Sequence, residues 1–344
     1  MVVTVSAAPP SVSVIVPMHN AEKLIERCLA PLLAMLGRGE ITEIIVVNDD
    51  STDRSPAIVR EHASVQLLAM EAQGGPGAAR NRGAKIAQGE YLWFVDSDVI
   101  VADNAARVLR ETLERARPAA VIGSYDDQPG AKNFLSQYKN LVHHYYHHRG
   151  KEQASTFWAG CGAVQRSLFL QLGGFDARRY RHSSIEDIEL GYRLVDAGGT
   201  IALERRLQGK HLKEWRFFNL VHTEVFRRAL PWSRLMLRRK NITDDLNVGK
   251  SERLRATLTG FVLLSVFLWA LGWLGGWVLV VLIAALVGAN ASFIAFFART
   301  RGPLFALRAF LFHQLYYLYS SATFATAMAG HYLGRARRTA GDAG

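Results

Sequence analysis

The sequence predicts an α/β domain built on a mostly parallel sheet, followed by C-terminal transmembrane helices. Three observations predict it. Short apolar strands alternate with helix-period segments over the first 250 residues, as crossover connections in a parallel sheet require. Acidic and polar clusters close several of those strands. Residues 261–298 contain no Asp, Glu, Lys or Arg, a stretch long for any soluble helix. The division is expected near residue 250, with residues 1–250 forming the α/β domain and residues 251–344 a membrane domain.

The first strand is Val12–Val16, closed by Pro17. A helix follows, with Asn20 as N-cap and Leu24, Ile25, Cys28, Leu29, Leu32 and Leu33 at helical spacing. Ile41–Val47 is a second strand, ending in Asn48-Asp49-Asp50-Ser51-Thr52-Asp53, and Val65–Ala69 is a third. Gly74-Gly75-Pro76-Gly77 is a loop before a helix over Ala78–Ala87. Tyr91–Val95 reads as a buried strand that runs into Asp96-Ser97-Asp98. Val121–Ser124 is a further strand, and Phe134–His148 an amphipathic, aromatic-rich helix. Ile185–Ala197 is a helix stopped by Gly198-Gly199.

Leu258–Ala298 is long enough for two short membrane helices that turn at Gly272–Trp277, with Trp at interface depth. Leu304–Leu333 can form a third, with Arg308 able to snorkel near one end. Two to three helices are expected, at roughly 258–275, 277–298 and 304–333. Three spans after a cytosolic domain would put Arg335, Arg337 and Arg338 outside, against the positive-inside rule; two spans, or a third helix lying in the interface, keep them inside.

The 344 residues are 49% hydrophobic and 21% charged, a globular rather than disordered composition. The net charge of +11 arises largely from clusters between Arg205 and Arg255 and at Arg335-Ala336-Arg337-Arg338. Both flank the apolar region, which points to anionic lipid rather than nucleic acid. There is no zinc-finger spacing and no RNA-binding signature. Cys28 and Cys161 make no disulfide framework and suit a reducing compartment. The N-terminal residues lack a basic stretch before an apolar one, so no signal peptide is expected and the α/β domain is assigned to the cytosol.

Ligands in open α/β sheets bind outside the carboxyl ends of strands. Four such ends carry polar clusters: Pro17-Met18-His19-Asn20, Asn48-Asp49-Asp50, Gly74 to Asn81, and Asp96-Ser97-Asp98. A parallel sheet brings them to one edge. Carboxylate oxygens are preferred ligands of Mg²⁺ and Mn²⁺, and such an ion can hold a diphosphate.

With these runs in place, the first 220 or so residues resemble a family 2 glycosyltransferase of the GT-A fold, a Rossmann-like architecture. The matching runs are Val14-Ile15-Val16-Pro17-Met18-His19-Asn20, Val46-Val47-Asn48-Asp49-Asp50-Ser51-Thr52-Asp53, Gly77-Ala78-Ala79-Arg80-Asn81-Arg82-Gly83 and Phe94-Val95-Asp96-Ser97-Asp98. The resemblance implies a nucleotide-diphosphate sugar donor. Pro17 and Asn20 would line the nucleoside pocket, Asp49 would accept a hydrogen bond from the base, Arg80 would reach the base or diphosphate, Asp96 would sit by the ribose, and Asp98 would hold Mg²⁺ or Mn²⁺. The family's second run is often Asp-Asp-Gly-Ser; here it is Asn48-Asp49-Asp50-Ser51.

Thr156-Phe157-Trp158-Ala159-Gly160-Cys161-Gly162-Ala163 resembles the family's acceptor-side loop, giving Trp158, Gly160 and Gly162 as acceptor-binding residues. Taken alone, it is a tight strand turn that needs glycine. The family takes its catalytic base from a Glu-Asp pair, which maps to Asp187, with Glu186 second. Taken alone, that pair starts a helix, where acid is favoured by the dipole. His211 resembles the C-terminal histidine that joins the metal. Arg238 and Arg239 either neutralise the leaving diphosphate or snorkel ahead of the membrane, the second reading being preferred. His143-His144-Tyr145-Tyr146-His147-His148 reads as an interfacial helix rather than a zinc site, because no Glu or Cys is spaced to complete one.

The expected activity is inverting, metal-dependent transfer of a sugar to a hydroxyl of a lipid, lipid-linked or saccharide acceptor, at the cytoplasmic face of the cell membrane. Rival readings are a polyprenyl-phosphate glycosyltransferase, which needs no base, and an inactive membrane-bound scaffold of the same fold. A processive synthase would carry Gln-x-x-Arg-Trp, and a nicotinamide dehydrogenase Gly-x-Gly-x-x-Gly after the first strand; neither is found.

Overall fold

The computed structural model describes residues 9–239 and 249–341, with side chains described as far as Leu333. Met1–Ala8, read above as no leader, lie outside the described residues, as do the side chains of Arg335, Arg337 and Arg338. The chain divides into two compact units, Met1–Glu214 and Trp215–Gly344.

In the first unit β1 (Val12–Met18), α1 (Ile25–Gly37), β2 (Glu43–Asn48), α2 (Ser55–Arg60), β3 (Val65–Ala69), α3 (Pro76–Ile86) and β4 (Tyr91–Val95) alternate as the apolar pattern predicts. Next come β5 (Val99–Val101), α4 (Ala105–Ala116), β6 (Ala120–Tyr125), α5 (Phe134–Arg149), β7 (Gln153–Ala154) and β8 (Cys161–Gln165). The unit closes with α6 (Arg166–Gln171), α7 (Glu186–Asp196) and β9 (Ile201–His211). The strands form one sheet in the order β3-β2-β1-β4-β8-β6-β9-β5, with β7 paired to β9.

The sheet is parallel from β3 through β4. Beyond β4 it is mixed rather than mostly parallel, because β8 runs antiparallel to both β4 and β6, and β9 pairs parallel to β6 but antiparallel to β5. Period-two alternation splits the core between the two faces. Val12, Val14, Val16, Tyr91, Trp93 and Val95 pack with Ile25, Leu29 and Leu32 of α1 on one face. Ile15, Ile45, Leu92 and Phe94 pack with Ala79, Phe169, Leu190 and Leu194 on the other. Phe94 meets Phe157, Phe169 and Phe175 with ring centroids 6.4, 5.4 and 5.3 Å away. Such pairs add about 0.5–1.5 kcal/mol each beyond area burial.

Helix α5 is not the interfacial helix expected from its histidines. It lies on β6, and its imidazoles serve the β6 backbone. His147 Nδ1–H donates to the Gly123 carbonyl at 2.7 Å, and His144 Nδ1–H to the Tyr125 carbonyl at 2.8 Å. Burial pushes His147 down to about 4, so its ring is neutral.

The second unit is helical. α8 (Phe217–His222) leads through a π-helical stretch, Thr223–Ala229, into α9 (Leu230–Arg239). α10 (Lys250–Ala270), α11 (Gly276–Ala289), α12 (Ala291–Arg301) and α13 (Pro303–Gly341) follow. α9 packs with α13, which is why this unit begins ahead of residue 250. Glu252 of α10 accepts from the Tyr317 hydroxyl at 2.6 Å and pairs with Arg255, while Thr259 donates to Gln314 at 2.8 Å. Arg238 lines a cavity of about 480 Å³ between α9 and α13, together with Leu230, Arg234, Leu237 and His331.

Among the described residues, α10 is long and apolar enough to cross a membrane. α11 and α12 meet that measure only as one span bent by 61°. The third expected segment forms α13, which does not reach it. Phe261, Leu264, Phe267, Trp273 and Trp277 are exposed, as lipid-facing side chains are.

Candidate active site

The pairing of Met18 with Asn48 makes the loops after β1 and β2 leave the sheet side by side. Asn20 and Asp50 both take left-handed backbone, with φ of 48° and 58°. Asn and Asp tolerate that region better than other residues with a side chain. Asp50 can therefore hold this turn without a glycine. Asn20 Oδ1 accepts from the Thr52 N–H at 2.8 Å, and the Asn20 N–H donates to Ser51 Oγ at 3.0 Å, stapling the two loops. Pro17 is buried within β1 opposite Val47.

Asp49 is buried, and each of its oxygens accepts a backbone N–H, from Gly74 at 2.7 Å and from Gly75 at 2.8 Å. It thereby shapes the entry to α3, and its remaining lone pairs stay chemically able to accept from a base. Gly75 has φ 84°, and a Cβ there would stand 2.0 Å from the Arg181 carbonyl oxygen, so this entry demands glycine.

α3 then delivers Arg80 into the interior. Its guanidinium lies 2.5 Å from Asp96 Oδ1 and 3.5 Å from Glu186 Oε1, over the Phe175 ring. One buried cation thus joins the first carboxylate of the Asp96-Ser97-Asp98 run to the first turn of α7. Sequence reasoning assigned Arg80 to the donor and did not find these two partners.

Glu186 is buried and accepts from the Ser184 N–H at 2.8 Å. Burial, reinforced by the charge of Asp187, pushes its carboxyl up to about 7 against the pull of Arg80. Burial and the charge of Asp98 likewise raise Asp96, with Arg80 opposing. Asp187 is half-buried and accepts from the Ala159 N–H at 3.3 Å, facing the 156–163 segment.

A carboxyl raised from 4.5 to about 7 by folding contributes stability in full below pH 4.5 and loses it as pH climbs to about 7. Glu186→Gln mimics the protonated form. Its melting temperature is expected to exceed that of the wild type at pH 8 and to match it at pH 4.5, as read by thermal unfolding at the two pH values. An equal offset at both would contradict this linkage.

The antiparallel pairing of β5 and β9 sets Val99 against His211 and so brings Asp98 alongside. Asp98 Oδ2 and His211 Nε2 are 3.5 Å apart. Burial works against the Asp98 charge, but His211 outweighs it and holds the carboxyl below its usual range. The 156–163 segment docks on the same edge, where the Gly160 carbonyl accepts from the Asp96 N–H at 3.2 Å. Trp158 folds back over its own glycines. A Cβ at Gly160 would stand 2.8 Å from the indole, and one at Gly162 would stand 2.2 Å from the Trp158 carbonyl oxygen. Gly162 lies inside β8, opposite Phe94 and Ile122, so it is demanded by the backbone, while Gly160 makes room for the Trp158 side chain.

Residues 13–173 match the model of glycosyl transferase family 2. This chain carries a family 2 glycosyl transferase domain. Glycosyltransferase GlyG of Streptococcus pneumoniae serotype 4 is 36% identical over 118 residues, 33% of this chain and 38% of the relative. Poly(ribitol-phosphate) beta-glucosyltransferase of Bacillus spizizenii is 40% identical over 99 residues, 27% of this chain and 16% of the relative. The matched stretches therefore span well under half of these relatives. The mannosyltransferase PcManGT from Pyrobaculum calidifontis, solved with GDP-Man and Mn²⁺, shares the fold at a TM-score of 0.58 and 20% identity, over 93% of this chain and 88% of that one.

Whether the glycosyl transferase domain can take a divalent ion is a question about its donor set. Among the described residues no group of three or more His, Cys, Asp or Glu side chains is gathered as a metal site. Asp98 and His211 offer one carboxylate and one imidazole within 3.5 Å, while Asp96 is engaged by Arg80. Two such ligands fit Mg²⁺ or Mn²⁺ when diphosphate oxygens and water supply the rest of the shell.

Proposed function

We propose that this chain is an inverting glycosyltransferase that moves a sugar from a nucleotide-diphosphate donor to the hydroxyl of a lipid, lipid-linked or saccharide acceptor. The observation that carries the reading is one sheet edge holding Asp98 beside His211 and, bridged through Arg80, the Glu186–Asp187 pair. The first pair suits a diphosphate-bound ion and the second suits a base.

In this reading Pro17, Asn20 and Asp49 flank the nucleoside, and Asp96 lies by the ribose. Asp98 and His211 hold Mg²⁺ or Mn²⁺, which would supply Lewis-acid stabilisation of the departing diphosphate. Trp158 and the backbone at Gly160 and Gly162 border the acceptor. Asp187 takes the proton of the acceptor hydroxyl as its oxygen bonds to the anomeric carbon and the bond to the diphosphate oxygen breaks. Asp187 is preferred to Glu186 as base because it is the less buried carboxylate and is not paired with Arg80. A cell-membrane location with the transferase domain on the cytoplasmic side is supported by the exposed apolar surface of α10 and by the basic residues Lys250, Arg253 and Arg255 at its start.

Asp98→Asn tests the reading against an inactive scaffold. Loss of metal stabilisation worth several kcal/mol corresponds to turnover about 100-fold lower or less. The expected outcome is that loss with a cooperative melting transition retained. Full turnover in the variant would overturn the assignment.

A further inference from the structure

We propose that Tyr125 is a positioning residue that fixes the His211 imidazole for metal binding and couples it to the Trp158 segment. This rests on the metal reading of Asp98 and His211. Tyr125 ends β6 and is buried, and its ring touches both halves of the site. On one face it stacks on His211, with centroids 4.4 Å apart and planes 11° from parallel. Trp158 meets it edge-on at 4.8 Å and 82°, and His143 lies tilted against it at 4.5 Å.

The backbone of Tyr125 is held as firmly as its ring. Its carbonyl accepts from His144 Nδ1–H at 2.8 Å, and its N–H donates to His143 Nδ1 at 3.5 Å. This gives the histidine pairs of α5 a purpose that neither a zinc site nor a lipid interface supplies. They brace the strand end whose ring aligns His211. His143 also stacks on His147, which is anchored to Gly123. Flat stacking restricts rotation of the His211 ring and keeps Nε2 turned toward Asp98 Oδ2. Hydrogen-bonding partners that orient a metal-binding imidazole change metal affinity roughly 10- to 100-fold when removed, and a ring that restricts the same imidazole by stacking is expected at the low end of that range. Because Trp158 presses on the same ring, rearrangement of the 156–163 segment on acceptor binding would be felt at His211 without any direct contact between the two.

The test is Mn²⁺ binding to the full chain in detergent, read by loss of the free Mn²⁺ electron paramagnetic resonance signal. Tyr125→Phe keeps the stacked ring and is expected to bind as the wild type does. Tyr125→Leu is expected to bind roughly 10-fold more weakly. Trp158→Ala frees the edge of the ring and is expected to weaken binding by a smaller factor; it keeps the inference open to refutation if Tyr125→Leu fails to fold. Wild-type affinity in both Tyr125→Leu and Trp158→Ala, with His211→Ala weakened, would overturn the positioning role alone. Unchanged affinity in His211→Ala would remove the metal reading and this inference with it.

Discussion

Asp187→Asn is expected to lower turnover by roughly 10²- to 10⁴-fold, the range a positioned general base contributes, while leaving affinity for the donor nucleotide unchanged. The reasoning is geometric. Asp187 stands in the first turn of α7, half-buried, with one oxygen turned to the Ala159 N–H at 3.3 Å, on the side where Trp158 and the glycines lie. Its neighbour Glu186 faces inward to Arg80 and Ser184. Asn preserves size and can still accept from Ala159, so the substitution removes proton uptake and little else. Steady-state kinetics beside calorimetric titration with the donor nucleotide separate the two effects. A loss of nucleotide binding that matches the loss of rate would place Asp187 on the donor side instead.

Arg80→Met carries the largest expected cost in stability. The guanidinium is shared by Asp96 and Glu186, and its removal takes the paired cation from two carboxylates, one of them almost wholly buried. Removing one partner of a buried pair costs about 3–5 kcal/mol. For a unit of this size that is a fall of roughly 6–20 °C in melting temperature. Combining the change with Glu186→Gln removes one stranded charge and is expected to restore part of the loss, a non-additivity read directly from thermal unfolding of the double variant. A single variant as stable as the wild type would mean that Arg80 stabilises neither carboxylate in the free protein and would return it to a role in donor binding alone.

The parallel half of the sheet was legible because its signals are local. Tyr91–Val95 is a continuous apolar strand, so Asp96 and Asp98 had to stand at its end, and the same logic placed Asn20, Asp49 and Arg80 near one edge. Of the mixed half only β6 was, as Val121–Ser124. β9 holds Glu204, Arg205, Arg206 and Lys210, and its register shifts against β6 between Ile122 and Ser124, which breaks the alternation that would announce a half-buried strand. β8 hid within a glycine-rich run that reads as a turn. The α5 histidines were misread because their partners are backbone carbonyls of β6, and side-chain identity carries no record of backbone acceptors. Tyr125 was missed for the same reason. It is a lone aromatic just past an apparent strand end, and its importance lies in three rings brought to it from distant segments.

The most direct test of the central claim is binding and hydrolysis of a panel of nucleotide-diphosphate sugars by the full chain in detergent, with Mn²⁺ and again with a chelator. The account predicts that one nucleotide-diphosphate sugar binds and is slowly hydrolysed only when the metal is present, and that both properties disappear in Asp98→Asn. Failure of every donor to bind with Mn²⁺ present, in a protein whose melting transition is intact, would contradict it.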